Sequence, residues 1–327
     1  MSTPPLSLLD FCTVYRQESI ADSLARSVLL AQTAESLGFR RIWFAEHHNM
    51  PTIASSHPAL LISHIAARTQ SIRLGAGGVM LSNHAPLLIA EQFGFLSEAY
   101  PDRIDLGVGR APGTDPETMR ALRRAPDAAE KFPEDVQELQ RFLSAEGKND
   151  PVRAIPGTGT DVPIFILGSS LFGASLAAAL GLPYAFASHF APDHLDAALA
   201  YYRNNYQPSS RYPEPYAIAA LNVIGSDSAE AAEAEFQRVV EQRVRRQMNR
   251  SGAQQLSDKE LTLVVNSPAG YQARRMLRYT VMGTPTDIAQ GLQDFQHRTG
   301  AAELMISLQA SSPEQMMKSL TVLGEAM

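Results

Sequence analysis

Residues 72–108 read IRLGAGGVMLSNHAPLLIAEQFGFLSEAYPDRIDLGV. An apolar run over 72–81 gives way to an amphipathic run over 86–100, and a second apolar run follows over 104–108. Strand, helix and strand are the reading, and the same alternation extends in both directions along the chain. Upstream, 6–14 reads as a strand, and Ser19-x-x-Asp22 is a capping-box pattern opening a helix that Gly38 stops. Ile20, Leu24, Val28, Ala31 and Ala34 form the expected buried stripe of that helix. Strand two is 41–45 (RIWFA), and helix two is 58–69.

Downstream, 114–150 is helical but charged and irregular, an extended connection after strand four. Then come strand 163–167, helix 171–180, strand 184–187, helix 193–206, strand 216–224 and helix 229–248. Residues 249–282 fit neither period, and are expected to form a long mobile loop, since structureless stretches of this length are usually lids. Thr284-Pro285-Thr286-Asp287 caps the next helix. Residues 303–308 form the eighth strand, and Ser312-Pro313-Glu314-Gln315 opens the last helix. Eight strands, each followed by a helix, is the count of an α/β (β/α)8 TIM barrel. No linker divides the chain, so 1–327 is expected to be one barrel domain.

Composition excludes several classes. The chain has 327 residues, 28 Lys+Arg against 34 Asp+Glu, and a formal net charge of −6. That balance argues against nucleic acid or an anionic membrane as the main partner. Cys12 is the one cysteine, which excludes an intrachain disulfide and a four-cysteine zinc site. MSTPPLSLLD does not read as a secretory signal. Residues 162–192 carry no Asp, Glu, Lys or Arg, yet Gly168, Gly173, Gly181, Pro183 and Pro192 interrupt them. A buried strand–helix–strand unit explains that run better than a membrane span, because central parallel strands are apolar on both faces. A soluble, cytoplasmic protein is expected.

Barrel active sites lie at the C-terminal ends of the strands. Those positions hold Glu46-His47-His48, Gly77-Gly78, Asn83-His84, Gly109-Arg110, Gly168-Ser169-Ser170 and Ser188-His189. His47 and His48 are adjacent on a strand and should face opposite ways, which disfavours one ion held by both. The expected metal content is none. Neither glycine cluster has dinucleotide-fingerprint spacing. Gly77-Gly78 marks either a bulge with close backbone approach or the bed of a flat ring. Arg110 with Ser169 and Ser170 at a helix start suits one phosphate, and a strand-end histidine such as His47 is either functional or a hydrogen-bonded core residue.

The sequence of Glu46-His47-His48, then residues 72–86, Ala90-Glu91-Gln92-Phe93, residues 102–110, Gly168-Ser169-Ser170, Gly181-Leu182-Pro183 and Thr299-Gly300-Ala301 resembles the bacterial-luciferase-like family in order and spacing. The resemblance implies a flavin-dependent monooxygenase on a (β/α)8 barrel. It implies His47 as the base beside the reduced flavin and His48 as its supporting neighbour. Gly77 and Gly78 fall where the family often has a non-prolyl cis peptide against the isoalloxazine. Arg110, Ser169 and Ser170 match the phosphate grip, and 249–282 the lid. His189 is the candidate substrate contact. Where luciferase itself has a cysteine, Gly109 stands here, so the resemblance does not extend to light emission. Reduced FMN from a separate flavin reductase, O2, a small organic substrate and a homodimer are the expected cofactor and partners. A deazaflavin-dependent hydride transfer and a non-catalytic flavin-binding protein are the alternatives.

Overall fold

Side chains along each strand alternate between the helices outside and the barrel axis inside. The computed structural model describes residues 4–111, 114–125, 127–250 and 257–327. Its strands are β1 (Leu6–Asp10), β2 (Arg41–Phe44), β3 (Arg73–Met80), β4 (Ile104–Gly109), β5 (Ile164–Gly168), β6 (Tyr184–Phe186), β7 (Ala217–Gly225), β8 (Thr280–Gly283) and β9 (Glu303–Leu308). The ladders between them are parallel. β1 to β7 pair in chain order, β9 joins β7 to β1, and the ring closes as an eight-stranded (β/α)8 barrel.

β8 is the strand that the sequence pattern does not show. Of the stretch expected to be a structureless loop, 251–256 lie outside the described residues. The described remainder is ordered secondary structure: helices Asp258–Val265 and Pro268–Met276, then β8. Both helices are short and bury Leu261, Val265, Ala273 and Leu277 against Val240 and Val244 of helix Ala229–Arg250. Two-turn stripes packed on a neighbouring helix leave no extended period to read. β6 spans three residues and pairs with Ala217–Ala219, so the upper half of the same β7 edge is left for β8. That ladder runs from Asn222↔Thr280 to Gly225↔Gly283.

The first helix, Ile20–Ser36, has the expected capping box at Ser19 and Asp22. Its buried face matches the expected stripe in part: Ala31 and Ala34 are buried and Leu24 and Val28 are half-buried against the core. Ile20 is 62% exposed, and the inner positions are Ser23, Arg26, Ser27, Leu30, Ala31 and Ala34. Ser27 bonds the buried Asp10 carboxylate, Ser23 donates to Thr13 O at 2.9 Å, and Arg26 pairs with Glu18 at 3.0 Å. These polar contacts to the end of β1 fix the helix rotation, and the apolar stripe yields by one position. Between β4 and β5, helices Pro116–Ala121 and Phe132–Leu143 with short 3-10 turns make the irregular connection. The charge-free run becomes β5, helix Leu171–Leu180 stopped by left-handed Gly181, and β6. Among the described residues no helix is long and apolar enough to cross a membrane.

Inside the barrel the side chains stack in layers. At the N-terminal base, Arg41 pairs with Asp105 at 2.6 Å and with Glu303 at 2.9 Å. Arg73 joins through Asp105 at 2.6 Å, and Ser7 and Tyr216 both donate to Glu303 at 2.5 Å. Above them Leu9, Trp43, Phe165, Ile218 and Met305 form an apolar layer, with Trp43 and Phe165 edge to face at 5.0 Å. That layer is the floor of the site.

Candidate active site

The C-terminal ends of the strands surround a cleft of about 1080 Å³, including the solvent at its mouth. Leu9, Trp43, Ala45, Ile218, Ala220 and Met305 line its bottom. The alternation of β2 points Arg41 and Trp43 inward, and past its end Ala45 and His47 line the cleft while Glu46 and His48 do not. His47 lines the cleft with its ring stacked on Phe11 at 5.9 Å and an interplanar angle of 14°. His48 does not reach the cleft. Its Nε2 lies 2.8 Å from Glu46 Oε1, and His84 Nε2 meets the same oxygen at 2.8 Å. The other carboxylate oxygen accepts Met80 N–H at 3.0 Å.

Burial alone would raise the Glu46 pKa, but the bonds from His48, His84 and the Met80 amide outweigh it and hold the acid down at about 2. Glu46 therefore stays ionised and ties the end of β2 to the end of β3. Its oxygen and the two imidazole nitrogens lie within 4.8 Å of one another, a compact set of metal-ligating types. The 2.8 Å contacts are hydrogen-bond distances, and each N–H already satisfies the carboxylate.

Gly77 and Gly78 line the cleft and are joined by a cis peptide. The β3–β4 register slips between Ala76 and Val79, so the pair does form a bulge. A Cβ on Gly77 would lie 2.7 Å from Leu9 Cδ1, and one on Gly78 2.7 Å from Gly107 O. The Leu9 and Trp43 side chains crowd Gly77 and the Gly107 backbone crowds Gly78, and without side chains there that wall of the cleft is open to a planar ring.

Arg110 follows β4, and Ser169 and Ser170 follow β5; all three line one end of the cleft. The Arg110 guanidinium lies 4.0 Å from the Phe172 ring centroid, and among the described residues no carboxylate pairs with it. Ser170 is the N-cap of helix Leu171–Leu180, but its side chain caps no backbone N–H. Hydroxyls, free helix-start N–H groups and an unpaired guanidinium thus converge, as an anion requires.

His189, three residues past the end of β6, closes the far wall, across the barrel from His47. Its ring is 6.0 Å from Phe11 and 5.0 Å from Phe190, and only 5% of the residue is exposed. Burial first, then the charges of Arg243 and His47, push its pKa down to about 3, so the imidazole is neutral. Phe11, Phe172, Phe190 and the apolar floor escape a search for reactive side chains. Their signal is the inward phase of each strand together with the loop that continues it.

Comparison with known proteins bears on this geometry. The family model described as luciferase-like monooxygenase matches residues 9–303. A protein of Escherichia coli strain K12 called luciferase-like monooxygenase is 43% identical over 306 residues, covering 93% of this chain and 91% of its own. The uncharacterized protein YvbT of Bacillus subtilis strain 168 is 42% identical over 327 residues, covering 98% and 96%. The solved structure of apo-MsnO8 superposes with a TM-score of 0.85 at 31% identity, covering 99% of this chain and 98% of that one.

Proposed function

The chain belongs to the luciferase-like monooxygenase family, and from that premise we propose that it is a two-component monooxygenase using reduced FMN and O2 on a small organic substrate. One observation carries the reading: His47, Gly77, Gly78, Arg110, Ser169 and Ser170 meet in a single apolar cleft at the barrel mouth. The residues fit the cofactor. Arg110, the two serines and the start of helix Leu171–Leu180 would hold the phosphate. Gly77 and Gly78 would face the ring, and Leu9, Trp43 and Met305 would lie beneath it. Bound reduced FMN supplies two electrons, with which one atom of O2 enters the substrate and the other leaves as water.

The protein's share is binding, orientation, dryness and proton transfer. The apolar floor keeps water from the reacting face. His47, stacked on Phe11 and partly exposed, carries the proton at the substrate. Neutral His189 presents a polar edge to the substrate from the opposite wall. His48 acts through Glu46, which fixes the backbone on which His47 stands. The reductase is a separate protein in this proposal, and both work in the cytoplasm. Leu60 and Phe95, on helices Pro58–Ala66 and Pro86–Ala99, and Ile155 stand exposed around a groove. A second copy covering that apolar rim would make the proposed homodimer.

The test is a titration with FMN, reduced FMN, riboflavin and a deazaflavin. Reduced FMN is expected to bind best, and Arg110→Ala should weaken FMN by about 1.5–3 kcal/mol while leaving riboflavin unchanged. Equal loss for both ligands would make Arg110 structural. Deazaflavin binding in preference to FMN would replace oxygen insertion by hydride transfer. Oxidation of NADPH by the purified chain alone would remove the separate reductase.

A further inference from the structure

The turn after β5 carries Ser169 and Ser170, yet the Ser170 side chain does not hold it in shape. Ser170 is the N-cap of helix Leu171–Leu180, with extended backbone at φ −151° and ψ 174°, and its hydroxyl caps no N–H. A tyrosine from the next strand takes hold of the turn instead. Tyr184 opens β6, paired with Ile166 of β5 on one side and Ala217 of β7 on the other. It is fully buried in the outer core, while Ala185 beside it lines the cleft. From there its hydroxyl reaches the N-cap and donates to Ser170 O at 3.1 Å.

The ring is fixed on every side. Phe186 lies edge to face with it at 6.2 Å, and Tyr202 is tilted against it at 5.5 Å. A Cβ on Gly168 would lie 3.2 Å from the Tyr184 hydroxyl oxygen, and one on Gly173 3.2 Å from its Cε2, so the two glycines admit the ring directly beside the turn. Burial pushes the Tyr184 pKa up, so the phenol keeps its proton and remains a donor. A buried phenol without an acceptor is costly, and the Ser170 carbonyl supplies one. Tyr202, by contrast, donates to Leu182 O at 2.8 Å and Tyr216 to Glu303 at 2.5 Å, and none of these four lines the cleft. The Ser170–Leu171 peptide is trans, so its carbonyl and its N–H point in opposite directions. With the carbonyl drawn to a side chain outside the cleft, the Leu171 N–H faces away from Tyr184.

We infer that Tyr184 is a positioning residue for the anion end of the cleft: through Ser170 O it aims the Leu171 N–H, with the hydroxyls of Ser169 and Ser170, at the phosphate of FMN. The inference rests on Arg110, Ser169 and Ser170 holding that phosphate. Tyr184 acts through the backbone of the turn rather than by contact with the cofactor. Losing its one oxygen should therefore be felt at the phosphate and not at the ring.

Fluorescence titration of the full chain with FMN and with riboflavin, beside thermal melting, tests this. The wild type should prefer FMN. Tyr184→Phe should weaken FMN by about three- to tenfold, the worth of one hydrogen bond, with riboflavin affinity unchanged. Affinity is taken per folded molecule, and Tyr184→Met, which fills the place of the ring without a donor, carries the test if the phenylalanine variant does not fold. A preference for FMN that is undiminished in the variant would overturn the inference while leaving the phosphate reading intact. Equal loss for both flavins would overturn it as well, since Tyr184 would then shape the whole cleft. A wild type that binds FMN no better than riboflavin would overturn the phosphate reading itself, and the inference with it.

Discussion

His47 and His48 are neighbours in the chain with opposite assignments, just past the end of β2. His47 enters the cleft against Phe11, whereas His48 turns outward and is consumed, with His84, by the Glu46 carboxylate. A histidine whose N–H is already committed to an ionised acid is a brace. His47 instead turns its ring into the cleft, where a bound substrate would meet it. His47→Ala should therefore keep the melting temperature and most FMN affinity while lowering product formation by roughly 10²–10⁴-fold, the worth of a positioned general base. Oxygen uptake should continue with its electrons lost to hydrogen peroxide. Thermal melting, product yield and peroxide yield, measured together, check it; a variant that melts early yet couples fully would make His47 a packing residue.

At the scale of elements, the β3–β4 seam shows how little room the site leaves for change. A Cβ on Gly107 would lie 2.2 Å from Ala76 O, across a ladder that already slips at the bulge. Gly107→Ala should destabilise the protein by about 1–3 kcal/mol, as overpacking does, with the urea midpoint falling at unchanged m-value. A midpoint within error of the wild type would mean that the seam is free to open. Much of this architecture was legible in the sequence, since long apolar runs, the Ser19 capping box and the strand-end rule depend on contacts within a few residues. What depended on remote partners was hidden. The rotation of helix Ile20–Ser36 follows from Asp10, and β8 finds a free edge on β7 because β6 is short. Glu46 was visible beside His47, but its hold on His84 and Met80 needs the closed barrel.

The whole molecule separates stability from chemistry along the barrel axis. Arg41, Asp105 and Glu303 are buried at the N-terminal base, with the apolar layer of Trp43 and Phe165 between them and the cleft. Arg41→Met removes the buried cation that Asp105 and Glu303 share, leaving Asp105 to Arg73 and Glu303 to Ser7 and Tyr216, and should cost about 3–5 kcal/mol of folding stability. FMN affinity per folded molecule should be unchanged, because the site lies at the other end; urea unfolding beside a flavin titration measures both, and a parallel loss of affinity would show that the two ends are coupled. The edge of β7 shared by β6 and β8 has a further meaning for protein engineering. The excursion between Gly225 and Gly283 leaves and returns at facing positions of one ladder, outside the ring that closes the barrel. It is a cassette with adjoining ends, so excursions of other lengths and compositions can be grafted between the same two glycines to change what the rim recognises while the eight-stranded wall stays as it is.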